Sequence, residues 1–280
     1  MQKLCQTIFL LEFFFHNFVF MEKKGILYVD THSHLYDEAF DNDVLDVINR
    51  AEESGVGKII LPAVDSSTID RMMALTARYP HMFEMMIGLH PTSITGENVE
   101  RELAVVREHL EKGSWIGIGE IGLDFYWDTT YKKEQEEAFE RQLSWAVERE
   151  MPVSIHSREA MDRTLEILSS YKVKGVMHCF SGTFSQACKV IDMGLKIGVG
   201  GTVTYKTNPM REIIRTVGYE YIVYETDAPY LPPVPYRGKR NESSYIPYIA
   251  EFLSGIYGCD IEKVAQVTSM NAYNLFPKLR

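Results

Sequence analysis

Four cysteines in 280 residues, none in a CxxC pair, leave too little sulfur for a disulfide-stapled fold, and a chain this long does not need one. Cys5, Cys179, Cys188 and Cys259 are therefore expected as reduced thiols in a cytoplasmic protein. Positive charge is also short. The 29 Lys+Arg against 39 Asp+Glu give a formal net charge of −10. That excludes a global basic field, so any nucleic acid must be met by a local patch. No uninterrupted apolar run is long enough to span a bilayer, and no membrane is expected as a partner. There is no linker, low-complexity tract or charge block. The glycine-rich GIGEIG at 117–122 fails as a dinucleotide fingerprint, because it ends a strand instead of opening a helix and no acidic residue follows at the required distance. Apolar and aromatic residues are ample, at 45% and 12%, which excludes disorder as the main state.

Residues 1–20 differ from the rest of the chain. They hold six of the 14 phenylalanines. Lys3 could start a secretion signal, but Glu12, His16 and Asn17 interrupt the apolar stretch and no A-x-A-like cleavage site follows. Met21 opens MEKKGILYVDTHSH, which reads as the natural start of a soluble domain. The first 20 residues are thus expected to be an extraneous extension from a mis-set start codon, with a disordered or loosely docked tail, then a signal, as the alternatives. The functional domain is expected over 21–280.

From residue 26 a rhythm sets in. Short β-branched runs at 26–31, 58–63, 84–89, 115–120, 153–156, 175–179, 196–199 and 221–226 alternate with helical patterns. Val44, Leu45, Val47, Ile48 and Ala51 mark the first helix. Phe139, Leu143, Ala146 and Val147 mark a long one after the fourth strand. Alternating β and α elements imply a parallel sheet. Eight units fit a TIM-type (β/α)8 barrel in one α/β domain, with a doubly wound open sheet as the alternative. Two helices over about 245–275 would cover the closing side.

The chemistry gathers at the strand ends. His32, His34, His90, His156 and His178 each sit where a strand run stops, as do Glu120 and Asp227, the latter beside Glu225. In a parallel barrel these ends converge on one face. His32 and His34 are two residues apart in an extended segment, so both point to one side and can chelate one ion. His156 and His178, from neighbouring strands, can offer a second nitrogen pair. Glu120 lies between the two groups, and Asp227 closes the ring beside strand one. Four nitrogens and two carboxylates exceed one tetrahedral ion and suit two divalent cations about 3.5–4 Å apart. A water between such cations loses its proton near neutral pH, and Asp227 could accept it. A lone HxH is a weak signal, and a lone Glu120 could equally cap a helix. Six ligand-type residues on one face are costly to bury without a metal. His81, after Pro80, and His109, among Glu108 and Glu111, read as surface. Cys179 reads as a small buried strand residue rather than a ligand.

Seven motifs then occur in order: DTHSHL (30–35), GLHP (88–91), IGEIGLDFY (118–126), PVSIHSR (152–158), HCFSG (178–182), ETDAPYL (225–231) and PYRGKRNE (235–242). With them the chain resembles the TatD-type metal-dependent hydrolases and deoxyribonucleases of the amidohydrolase-like barrel group, over about residues 26–276. It departs at Leu89, where the family often has Val, and at Ser243, where it often has Pro; neither touches a ligand. The resemblance implies a two-metal site held by His32, His34, Glu120, His156, His178 and Asp227, with Mg, Mn or Zn as the ions. It implies phosphodiester hydrolysis in DNA, exonucleolytic on single strands, or action on another phosphate-bearing substrate. The catalytic groups would be Asp227, Glu120 and His90, the last donating to a phosphate oxygen or leaving group.

Substrate contacts are expected from Arg158 at the start of helix five, from Tyr126 beside Trp127 as a stacking platform, and from Arg237, Lys239 and Arg240 on the proline-rich loop after strand eight. Core packing for the aromatics and a solvated charge run for the loop are the bland alternatives. Hydrolysis of another ester or amide, such as an aminoacyl ester on tRNA, uses the same ligand set. A non-catalytic metal-binding interaction protein would lack a ligand or proton acceptor. A monomer is expected, although no feature sets the oligomeric state.

Overall fold

The structure, a computed structural model, describes residues 28–279. The expected extension over 1–20 lies outside the described residues. Eight strands run β1 Tyr28–Asp30, β2 Val56–Pro62, β3 Phe83–Ile87, β4 Gly117–Asp124, β5 Val153–Arg158, β6 Gly175–Met177, β7 Lys196–Val199 and β8 Ile222–Tyr224. They pair in sequence order, all parallel. The ends of the sheet meet: the Thr31 N–H donates to the Tyr224 carbonyl at 3.0 Å, and Ser33 bridges Ala228. The molecule is a single-domain TIM-type barrel, and the open-sheet alternative falls away.

Helices α1 Val44–Glu53, α2 Ser66–Arg78, α3 Val99–Lys112, α4 Lys132–Glu148, α5 Met161–Leu168, α6 Phe184–Asp192 and α7 Met210–Val217 follow strands one to seven. The strand faces turned towards them, with Ile59, Leu61, Ile118, Ile155 and Ile197, pack against Val47, Ile69, Leu103, Phe139, Leu165 and Val190 in one cluster. A second cluster joins Val29, Ile60, Met86, Val176 and Val223, from five different strands, to Leu275, Phe276 and Leu279. Side chains from strands that are not neighbours can meet only across the barrel interior. The last helices, α8 Ile246–Tyr257 and α9 Ile261–Leu275, therefore do more than cover the closing side, because the end of the chain stoppers the interior.

Some element boundaries differ from the sequence reading. β4 and β5 run on to Asp124 and Arg158 because the two strands stay in register to their ends, with Gly122 opposite His156 and Asp124 opposite Arg158. Arg158 is thus the last residue of a strand rather than the first of a helix; the next helix opens at Met161. β6 and β8 stop early, and the chain then passes through positive φ at Cys179 (43°) and Asp227 (58°). Cys179 is accordingly a half-buried residue beyond its strand rather than a buried strand residue. Close strand approach also dictates glycine: a Cβ at Gly122, where φ is 142°, would lie 2.0 Å from the His156 carbonyl oxygen.

Candidate metal centre

The strand ends bring together all six expected ligands and His90. His32 and His34 follow β1, where the Ser33–Ala228 bridge keeps the backbone extended and both rings on one side. His32 Nε2 lies 3.2 Å from His34 Nε2 and 3.1 Å from Glu120 Oε2. His34 Nε2 lies 3.4 Å from Asp227 Oδ1 and 3.8 Å from Glu120 Oε2. Four donors placed tetrahedrally at 2.0–2.1 Å from an ion are about 3.4 Å apart, so this donor set fits a divalent cation. The other oxygen of Glu120 faces a different set. Its Oε1 lies 3.0 Å from His156 Nδ1, 3.5 Å from His90 Nε2 and 3.8 Å from His178 Nε2. His178 also stacks on His32 at 3.5 Å and reaches Asp227 Oδ1 at 3.7 Å.

The partners of each ring sort the histidines by the atom they offer. The Tyr36 hydroxyl gives its proton to the Pro62 carbonyl at 2.6 Å, so at 2.8 Å it can only accept from His34 Nδ1–H. That leaves His34 Nε2 with its lone pair facing the cluster. Glu225, fully buried, accepts from His178 Nδ1 at 3.1 Å and from the Cys179 N–H at 2.6 Å, which leaves His178 Nε2 available as a donor atom. Asp124 takes His156 Nε2 at 2.9 Å and so turns Nδ1 towards Glu120. Ser154 meets His32 Nδ1 at 3.1 Å. Hydrogen-bond partners of this kind set the tautomer and orientation of metal-binding imidazoles. His90 is the opposite case. Its Nδ1 accepts the Thr92 N–H, so a neutral ring carries its proton on Nε2, the atom facing Glu120.

Electrostatics follow from burial and crowding. Burial alone would push the Glu120 carboxyl up, but the charges of His32, His90 and His178 and the hydrogen bond from His156 outweigh it and hold it well below its usual range. Asp227 is likewise depressed: burial opposes this, and the close approach of His34 and the charges of His178 and His32 prevail. Burial lowers His32 to about 4, and it also lowers His90. Burial works against protonation of His156 and His178 too, but there the carboxylates win. Asp124 and Glu120 raise His156 to about 9, and Glu225 and Glu120 raise His178 to about 10.

Tyr36, Ser154, Thr92, Asp124 and Glu225, which orient the rings, escape a reading that looks for ligands. Two of them carried a signal: Glu225 stands two residues before Asp227, and Asp124 lies in the IGEIGLDFY motif as a residue that could line the cleft. Gly198 is part of the same device, since a Cβ there would lie 2.2 Å from Glu225 Oε2.

The expected substrate residues divide. Tyr126 and Trp127 are 53% and 67% exposed, so they are not core. Arg158 is exposed beside them. Arg237 stacks over Tyr205 at 4.7 Å. Arg240 is committed elsewhere: its guanidinium grips both oxygens of Asp43 at 2.8 and 2.6 Å, bonds the Ala39 carbonyl and covers Phe40. That charge is neutralised within the protein, so the basic loop is weaker than its sequence reads. Away from the cluster, His81 is exposed beside Glu52, as expected, whereas His109 is half-buried against Trp115.

A (β/α)8 barrel with clustered imidazoles and carboxylates at the carboxyl ends of its strands defines a metal-dependent hydrolase. The family model for TatD-related DNases matches residues 29–277, and the chain belongs to that family. It is 36% identical over 251 residues to the metal-dependent hydrolase YabD of Bacillus subtilis, covering 88% of this chain and 98% of that one. It is 32% identical over 246 residues to the 3′–5′ ssDNA/RNA exonuclease TatD of Pantoea ananatis, covering 85% and 94%. The crystal structure of the TatD homologue YjjV from Escherichia coli superposes with a TM-score of 0.81 at 30% identity, covering 90% of this chain and 98% of that one.

Proposed function

We propose that the chain hydrolyses phosphodiester bonds at the ends of single-stranded DNA with two divalent cations, of the Mg, Mn or Zn type, held at one centre. The observation that carries the reading is Glu120, whose two oxygens face two separate sets of imidazoles. His32, His34 and Asp227 would hold one cation with Glu120 Oε2; His156 and His178 would hold the other with Glu120 Oε1. When bound, such cations offset charge on the phosphoryl group and make a nearby water more acidic.

The protein's own groups supply the rest. Asp227, kept ionised by the histidines around it, accepts the proton of the attacking water at Oδ2, since Oδ1 is the oxygen that faces His34 and His178 in the donor set. His90 is neutral and carries its proton on Nε2, so it donates to a phosphate oxygen or to the leaving oxygen instead of binding a cation. Arg237 and Lys239, on the loop after β8, and Arg158, at the end of β5, neutralise backbone phosphates. A cytoplasmic location is part of the same proposal, supported by the free thiols of Cys179, Cys188 and Cys259.

The test is to incubate the full chain with labelled single- and double-stranded DNA under Mg, Mn or Zn, beside Asp227→Asn. Metal-dependent shortening of single strands, lost in Asp227→Asn, is the expected result. Turnover of an aminoacyl ester without any cleavage of DNA would replace the nuclease reading by the ester-hydrolase one.

A further inference from the structure

Outside the cluster, one group of side chains on the same face has no partner that accounts for it. Tyr126 and Trp127 follow β4 on an exposed turn, with ring centroids 5.0 Å apart and planes at 85°. The turn is tied down by Asp124, whose Oδ1 accepts the Tyr126 N–H at 3.0 Å and the Trp127 N–H at 3.2 Å. The other oxygen of the same carboxylate holds His156. Asp124 is 1% exposed, and its charge is maintained against burial by the hydrogen bond and charge of His156. One buried carboxylate therefore sets the aromatic turn at a fixed place relative to the metal centre.

Arg158, opposite Asp124 in the β4–β5 register, lays its guanidinium over Tyr126 at 3.8 Å and reaches Trp127 at 5.1 Å. It has no carboxylate partner among the described residues. An unpaired guanidinium stacked on an exposed aromatic pair has its donors free for an anion. The Trp127 indole, 67% exposed, presents a large flat surface to solvent. Large aromatics are normally buried or engaged, and neither packing nor an ion pair accounts for this arrangement.

We propose that Trp127, Tyr126 and Arg158 form a nucleotide subsite beside the metal centre: one unpaired nucleobase stacks on the Trp127 indole, Tyr126 stands edge-on beside it and carries Arg158 on its face, and Arg158 holds a phosphate of the same nucleotide. The inference rests on the nucleic-acid reading above and deepens it, because an indole needs a free π-face, which a base inside a duplex does not offer. Recognition is by stacking, so it tolerates any base and rejects a nucleotide that lacks one. Tyr126 and Trp127 are positioned through Asp124, so the subsite and the metal centre keep a constant spacing.

Trp127 also reports on its own occupancy. The other two tryptophans, Trp115 and Trp145, are 2% and 8% exposed, so quenching of intrinsic fluorescence reads Trp127. The full chain, loaded with Mn, is titrated with short oligothymidylate whose phosphorothioate links resist hydrolysis, and with the same backbone carrying abasic residues. Saturable quenching by the thymidylate, with the abasic strand binding roughly tenfold more weakly, is expected. Trp127→Ala should bring the two affinities together, read by competition against a labelled strand, and Trp127→Phe should keep most of the difference. Equal affinity for the two strands, or no quenching, overturns the subsite. A parallel assay on ordinary oligothymidylate separates the two readings: preferential binding without cleavage sinks the nuclease reading and leaves the subsite, whereas cleavage with no base preference sinks only the subsite.

Discussion

At the scale of single residues, function depends on which nitrogen each histidine turns to the centre. His34, His156 and His178 spend one ring nitrogen on Tyr36, Asp124 and Glu225, while His90 receives a backbone N–H instead. Removing the Tyr36 hydroxyl with Tyr36→Phe frees His34 Nδ1 from its acceptor. Metal affinity should fall about 10–100-fold, measured by competition with a chelating dye, and unchanged affinity would refute the assigned role. The HxH pair and the strand-end carboxylates were legible in the sequence because period-two geometry and barrel convergence put ligand-type residues on one face. The orienting groups were not. A tyrosine or serine gives no sign in sequence that a distant ring will land on it, and Ser154 meets His32 across 122 positions.

At the scale of elements, the close contact of β4 with β5 carries both the centre and the aromatic turn. Gly122→Ala places a Cβ against the His156 carbonyl at a backbone angle that alanine avoids. A loss of about 2 kcal/mol or more is expected, read from the denaturant midpoint, and metal affinity should fall with it. The loop after β8 allows a second comparison. Replacing Arg237 and Lys239 with Ala should flatten the salt dependence of single-strand binding by about 1.4 in log–log slope, at about 0.7 per phosphate contact. Arg240→Ala should leave that slope alone and cost up to about 1 kcal/mol of stability, since its part-exposed pair with Asp43 braces the loop. Equal effects on the slope would restore Arg240 to the substrate contacts. In sequence the three cations were equivalent; only the fold put Asp43 within reach of one of them.

For the whole molecule, the centre makes the barrel's stability depend on pH and metal. In the metal-free protein His156 and His178 are raised to about 9 and about 10 from 6.5. A raised histidine contributes stability in full below its unfolded pKa and loses it as pH climbs through the folded one. Glu120 and Asp227 are depressed, so their contribution is present above the unfolded values, 4.5 and 3.8, and is lost on acidification. The metal-free chain should therefore lose midpoint temperature from about pH 6.5 towards pH 10, as His156 and His178 give up their protons. Metal loading at pH 7 should release protons, because His156 and His178 must each give one up. Calorimetry in buffers of different ionisation enthalpy reads that release, and no buffer dependence would refute it. The sequence alone determined the alternating barrel and the set of ligand-type residues, because burial periodicity and strand-end chemistry are local patterns that a chain must carry in its own order. Tertiary structure alone decided which ring nitrogen faces the centre, which arginine is already spent and that the chain end stoppers the barrel. Those outcomes depend on contacts between residues far apart in sequence, whose partners exist only once the barrel has closed.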